Sequence, residues 1–360
     1  MDVHSSEILS DPFTDPTHRA PEPLLVGVAG GVALQVVARL PFELAVLPED
    51  LRRVEFALVE SVRTEDAYMT DVAGHLIAAG GKRLRPAMAM AAAHTGGILT
   101  ISDDVVQGAA AVELVHLGSL YHDDVMDEAA TRRGVPSANI RFGNVVAILA
   151  GDFLLAKASE IAASLGTEVA GLLAHTIGQL CQGQVLELQS VFSPNRTQAQ
   201  YLASIDGKTA SLLATSARIG AIVAGLPRAH IDAITAYGQR LGMVFQIVDD
   251  ILDLTATDEQ LGKPAGNDLV EGIYTLPVIV GLQDPHRGEE LRALLGAPID
   301  RADVDRVRKV VQATGGVEAA MAVGRQYSDE AAAALATLAP TDVTRDMAMA
   351  GHRLIDSLPH

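Results

Sequence analysis

The sequence predicts an all-α protein, folded as a helical bundle in a single domain. Three observations carry that prediction. Apolar residues recur at three- and four-residue spacing over most of the chain, and no stretch alternates convincingly with period two. Ala, Leu, Val and Gly dominate, with 4% aromatics and no Trp, a mix suited to close-packed helices. At 360 residues and 49% apolar, the chain can build a sizeable core.

In chain order, residues 1–45 are expected to form an N-terminal extension, partly disordered or acting as an apolar flap. The first residues, MDVHSSEILSDPFTD, are acidic, unlike a secretory signal. The uncharged stretch 24–37 is too short to span a bilayer and is interrupted by glycines. Residues 46–360 are expected to be the domain proper. Helical periodicity covers 54–79, 105–126, 138–164, 169–191, 210–224 and 230–254. Breaks fall at GGKRLRP, TRRGVPS, SPNRT and GKPAGND, each rich in Gly, Pro or Asn.

The formal net charge of −18 argues against nucleic acid and against an anionic membrane surface held by charge. It suits a protein that holds cations. The one cysteine, Cys181, excludes an internal disulfide and a multi-cysteine zinc site and fits a reducing cytosol. Its expected place is a buried position in a helix.

The stretch LYHDDVMDEAATRRG (120–134) gathers three acids after an apolar run and answers them with two arginines. On a helix, residues four apart share a face, so Asp123 and Asp127 project together. VFQIVDDILDLT (244–255) repeats the pattern with Asp249, Asp250 and Asp253. Like charges at that spacing destabilise an isolated helix, and two such pairs ask for a cation. Oxygen-only ligands point to Mg²⁺, which binds carboxylates together with substrate phosphates. A solvated acidic face would explain one motif, but two copies ending apolar helices favour jaws around a phosphate–metal cluster. Arg132 and Arg133 can then hold phosphate oxygens that the metals leave open. GGKRLRP adds Lys82, Arg83 and Arg85 beside a glycine pair. Lys208 in DGKTAS and Lys263 in LGKPAGND stand at further glycine-marked breaks.

These motifs, with VELVHLGSLYHDDVMDEAATRRG, GDFLL, DGKTA, GMVFQIVDDILDLT and GKPAGNDLVEGIYTLP, resemble those of the trans-isoprenyl diphosphate synthases, the head-to-tail polyprenyl transferases. The resemblance runs from about residue 54 to the C-terminus. It implies an all-helical bundle around a deep central cavity, the isoprenoid synthase fold, usually as a homodimer. It implies that Asp123 and Asp127 ligate Mg²⁺ and that Asp249 holds a third ion, with Asp250 and Asp253 in support. Asp123, Asp124, Asp127, Asp249, Asp250 and Lys208 are the implied catalytic set. Arg132, Lys208, Thr209, Gln246 and Lys263 fall where the family binds the allylic diphosphate. Lys82, Arg85, His116 and Arg133 fall where it binds isopentenyl diphosphate. Ile273 departs from the pattern, since many members carry a lysine there.

The implied reaction ionises an allylic diphosphate, adds isopentenyl diphosphate to the cation and eliminates a proton. A class I terpene cyclase would carry a different second motif, and a regulatory subunit of a heteromeric synthase typically shows eroded acids; both motifs here are intact. Product length is expected to be set one turn before Asp123. There Gly118 and Ser119 are small, as is Ser159 one helix on, while Tyr121 is assigned to packing. In the resembling family bulky aromatics at this level stop the chain early and small residues let it pass, so the resemblance implies a long product, about seven to ten prenyl units, rather than a geranylgeranyl or farnesyl one. The expected location is the cytoplasm, with the product handed to the membrane.

Overall fold

The computed structural model describes residues 40–98, 100–261 and 264–359, so the 24–37 stretch and Lys263 lie outside the described residues. Helices α1 (Leu47–Ser61) and α2 (Ala67–Ala78) divide the periodic stretch 54–79. The first ends at Ser61, and Asp66 starts the second, its carboxylate accepting the Tyr68 N–H at 2.9 Å. Helix α3 (Leu84–His94) was not predicted. Its Ala and Met residues are buried on all sides, which leaves no periodic face to detect.

Helix α4 (Asp103–Met126) is capped by Ser102, whose hydroxyl accepts the Val105 N–H at 3.4 Å. A short hairpin follows, β1 (Thr131–Arg132) against antiparallel β2 (Val135–Pro136). The connecting Arg133 and Gly134 both have positive φ, 54° and 77°, as a two-residue type I′ connection requires. Strands of two residues are too short to show alternation. The 138–164 stretch splits into α5 (Ala138–Phe142) and α6 (Asn144–Ser164), and α7 (Thr167–Leu188) follows.

Helix α8 (Gln198–Ile205) begins with a capping box between Thr197 and Gln200 and ends in a π-helical turn, Asp206–Ala210. Then come α9 (Ser211–Val223) and the long α10 (Arg228–Thr255). The remainder comprises α11 (Asp258–Leu261), α12 (Asn267–Glu271), α13 (Leu276–Gly281), α14 (Gly288–Leu294), α15 (Arg301–Ala313), α16 (Gly316–Ala334) and α17 (Asp342–Asp356).

Helix α4 lies against α1, α3, α6 and α9, and α10 lies against α9, α16 and α17. Through its first half α4 is buried almost all round, as a central helix must be. No described helix is long and apolar enough to cross a membrane. The division expected at residue 45 is placed too late. Phe42 is buried, the Glu43 N–H bonds the Asp346 carboxylate, and Arg353 donates to the Pro41 carbonyl at 3.0 Å. Residues 40–45 therefore belong to the packed body.

Candidate active site

A cavity of about 900 Å³ opens between α4, α6, α7, α10, the 81–85 segment and the hairpin. Asp123 of α4 and Asp249 of α10 both line it, so the two aspartate motifs meet at one space. Asp127 stands just past the end of α4, its N–H bonded to the Asp123 carbonyl at 2.8 Å, and it is exposed. Burial raises Asp123 to about 6 against the pull of Lys208, and the neighbouring Asp127 raises it further. Asp127 is raised for the same first reason. Carboxylates held this way favour a hard cation beside them.

Among the described residues no three His, Cys, Asp or Glu side chains close into a metal site by themselves. The oxygen-only set of Asp123, Asp127 and Asp249 fits an ion that completes its shell with phosphate and water.

The middle acids do other work. Asp124 is fully buried, and its Oδ1 accepts from Arg132 Nε at 2.7 Å and Nη2 at 2.6 Å. Asp250 accepts from the Tyr201 hydroxyl at 2.6 Å and from Gln246 Nε2 at 2.8 Å, while burial pushes it up to about 7. Both were expected among the catalytic residues; neither lines the cavity, and each holds a neighbour in place. Asp253 was expected as a metal ligand. Its two oxygens instead accept the N–H groups of Asn267 and Asp268 at 3.2 Å, capping α12. That carboxylate is buried away from the cavity because the turn after residue 263 needs it.

Lys82, Arg85, His116 and Arg133 line one wall of the cavity together. The Arg133 guanidinium donates to the Leu76 carbonyl at 3.1 Å and to the Gly80 carbonyl. A Cβ on Gly81 would stand 2.7 Å from that guanidinium, which is why a glycine stands immediately before the basic run. Burial holds Arg85 down near 10, and Arg133 is lowered by burial as well. His116 lies well below its ordinary range, from burial first and then from Arg85 and Arg133. Its imidazole is therefore neutral at physiological pH. Lys82 extends over the Phe245 ring at 5.9 Å.

On the opposite wall the π-helical turn aims Lys208 and Thr209 inward. Thr209 donates to Gln246 Oε1 at 2.7 Å. Lys208 is paired with Glu187 of α7 and also acts on Asp123 and Asp127. Sequence reasoning missed Glu187, Tyr201 and Glu113. For the two glutamates the only signal was an acid in a largely apolar helix, which does not identify its partner, and Tyr201 offered none.

The proposed length-setting residues divide. Ser119 lines the cavity. Gly118 does not: it faces α6, where a Cβ would stand 3.0 Å from the Gly151 carbonyl and 3.2 Å from Leu155 Cγ. Ser159 is exposed and donates to the Leu155 carbonyl at 2.8 Å, away from the cavity. Adjacent helical positions point about 100° apart, and here Gly118 is turned to α6 while Ser119 is turned to the cavity. Tyr121 is packing, its hydroxyl donating to the Val72 carbonyl at 2.5 Å. Cys181, expected to be buried, is exposed and lines the cavity from α7.

The polyprenyl synthetase family model matches residues 66–314. Nonaprenyl diphosphate synthase of Mycobacterium tuberculosis is 38% identical over 322 residues, covering 89% of this chain and 93% of the relative. A polyprenyl synthase from Caulobacter crescentus, solved with calcium and isoprenyl diphosphate, superposes with a TM-score of 0.80 at 35% identity. It covers 86% of this chain and 95% of that one. A geranylgeranyl pyrophosphate synthase from Corynebacterium glutamicum, also solved with calcium and isoprenyl diphosphate, gives 0.77 at 37% identity, covering 88% and 98%. With two aspartate motifs and two basic walls around one cavity, and a family match over more than half its length, this chain belongs to the polyprenyl synthetase family.

Proposed function

We propose that the chain is a trans-polyprenyl diphosphate synthase that condenses isopentenyl diphosphate with an allylic diphosphate to give a long-chain product. The observation that carries this reading is the placement of Asp123 and Asp249 on one cavity with cations on both flanks. Mg²⁺, as three ions with substrate bound, would be held by Asp123, Asp127 and Asp249 and would offset charge growing on the leaving diphosphate.

Arg132, oriented by Asp124, and Lys208, oriented by Glu187, bind the allylic diphosphate oxygens. Gln246 and Thr209, tied to each other and to Asp250, fix the same end. Lys82, Arg85, His116 and Arg133 bind the second diphosphate and hold its double bond beside the allylic carbon. The apolar part of the wall, Leu120, Val125, Leu180 and Val185, excludes water from the cation. The packed body from residue 40 onward acts as the catalytic unit in the cytoplasm. Exposed apolar side chains on α6 and α7 that lie off the cavity, among them Val145, Leu149 and Leu186, support a homodimer through these helices.

Incubating the purified protein with Mg²⁺, labelled isopentenyl diphosphate and an allylic primer tests the reading. A linear polyprenyl diphosphate of about seven to ten units is the expected product, from the small Ser119 at the tunnel wall. The similarity to a geranylgeranyl pyrophosphate synthase favours a second reading, a four-unit product, and the same chromatogram separates the two. A cyclic hydrocarbon, or no product, refutes both.

A further inference from the structure

Arg83 stands between Lys82 and Arg85 in sequence, yet it has no donor left for a substrate. Its five N–H groups are all engaged. Nε donates to Glu55 Oε1, Nη2 to Glu55 Oε2 at 3.0 Å and to the Ile77 carbonyl at 3.1 Å. Nη1 donates to the Gly80 carbonyl and to Glu113 Oε1, each at 3.1 Å. The backbone follows, with Arg83 in the left-handed region at φ 50°.

Glu113 is the other end of that strut. It lies on α4 one turn before His116, is 1% exposed, and lines the cavity. Arg83 fixes one of its oxygens. The other, Oε2, is buried with no hydrogen-bond partner, and so is Nε of Arg85. Glu113 is the carboxylate that acts on Arg85, and it acts on Arg133 more strongly than Glu55 does. A buried carboxylate fixed at one oxygen and open at the other, lining the same cavity as two desolvated guanidiniums, is more than a partner for Arg83.

We propose that Glu113 is the positioning residue of this wall: its carboxylate, anchored by Arg83, keeps Arg85 and Arg133 gathered and aimed into the cavity before the diphosphate of the isopentenyl substrate arrives. Without it, two guanidiniums that repel each other lose their shared counter-charge; Arg133 keeps its bonds to the Leu76 and Gly80 carbonyls, Arg85 shifts, and the anion meets a wall it must first assemble. The inference rests on the proposed function for the identity of that anion.

Glu113→Gln keeps the shape and an acceptor for Arg83 but removes the charge. The KM for isopentenyl diphosphate should rise about ten-fold while the KM for the allylic substrate stays within about two-fold. Glu113→Asp, which restores the charge on a shorter stem, should recover a good part of that loss. Calorimetry with inorganic pyrophosphate should show the same order, wild type tightest and Glu113→Gln weakest. An unchanged isopentenyl KM with a lowered Tm overturns the proposal, because Glu113 would then serve only Arg83. So does a fall in KM, since the carboxylate would only be weakening the anion site, or an equal rise for both substrates. Loss of folding in both variants likewise assigns Glu113 to the core and overturns it. If wild type makes no polyprenyl product, the proposed function fails instead, and the pyrophosphate order still decides the role of Glu113.

Discussion

Tyr201 of α8 donates its hydroxyl to Oδ2 of Asp250 on α10 at 2.6 Å, across 49 residues of sequence. The bond turns the middle acid of the second motif toward the core. The other oxygen of Asp250 accepts from Gln246, whose amide oxygen in turn accepts from Thr209. One buried phenol thus orients two residues assigned to the allylic diphosphate.

Tyr201→Phe removes that donor and leaves a buried carboxyl oxygen unsatisfied. Tyr201 is completely buried, so water cannot replace the bond. The loss should destabilise the protein by about 1–3 kcal/mol, read from urea unfolding. Turnover should fall several-fold, with the larger change in the allylic KM. An unaltered unfolding midpoint would remove the hydrogen bond from the account.

The acids of the two motifs should separate by effect. Asp123→Asn and Asp249→Asn should each lower turnover by orders of magnitude with the fold intact, because each removes charge at the cavity where the metal must sit. Asp253→Asn should act differently. It weakens the cap on α12, which costs about 1–2 kcal/mol, and it reduces activity far less. Parallel measurement of Tm and kcat checks the contrast; equal activity losses in all three would restore Asp253 to the metal set.

The aspartate motifs were legible in the sequence because i and i+4 are neighbours on any helix, whatever surrounds it. The basic run was legible for a related reason, since the glycine pair marks a break there: Gly81 leaves room for Arg133, and Gly80 takes a positive φ of 80°. Glu187, Tyr201 and Glu113 were not legible. Their partners Lys208, Asp250 and Arg83 lie 21, 49 and 30 residues away, and only the packing brings them together. Gly118 and Ser159 were misjudged because a helical position has no inside until its neighbours are known. Helix α6 turned out to be the neighbour of Gly118.

Protonation of His116 should be visible in stability. Its folded-state pKa lies well below the ordinary 6.5, by burial and by the surrounding arginines. Below pH 6.5 the unfolded chain takes up a proton that the folded protein refuses, so stability rises with pH in that window. The contribution is fully present above 6.5 and is lost as pH falls through 6.5 toward the folded value. Asp123 and Asp250, both raised, act with the opposite sign nearby, so the difference between wild type and His116→Asn isolates the imidazole. Urea midpoints on descending from neutral pH should fall more steeply for wild type. Parallel curves would place His116 in a more polar setting than its neighbours imply.

Product length now turns on Ser119 rather than Gly118. Ser119 lines the cavity four residues before Asp123, and its hydroxyl bonds back to the His116 carbonyl at 2.8 Å, leaving its outer side facing the tunnel. A ring there occupies open space. Gly118 is different: α4 and α6 approach so closely that any side chain meets the Gly151 carbonyl and Leu155. Ser119→Phe should therefore shorten the product to roughly three or four units while the first condensations continue, since the ring narrows the tunnel beyond the reacting carbons. Gly118→Phe should instead cost more than the about 1–3 kcal/mol of ordinary overpacking and give little soluble enzyme, because backbone as well as side chain must move. Reverse-phase chromatography of products, beside Tm for each variant, checks both. A stable Gly118→Phe enzyme with short products would mean that the tunnel runs along the α6 face of α4, and an unchanged product from Ser119→Phe would put the floor elsewhere.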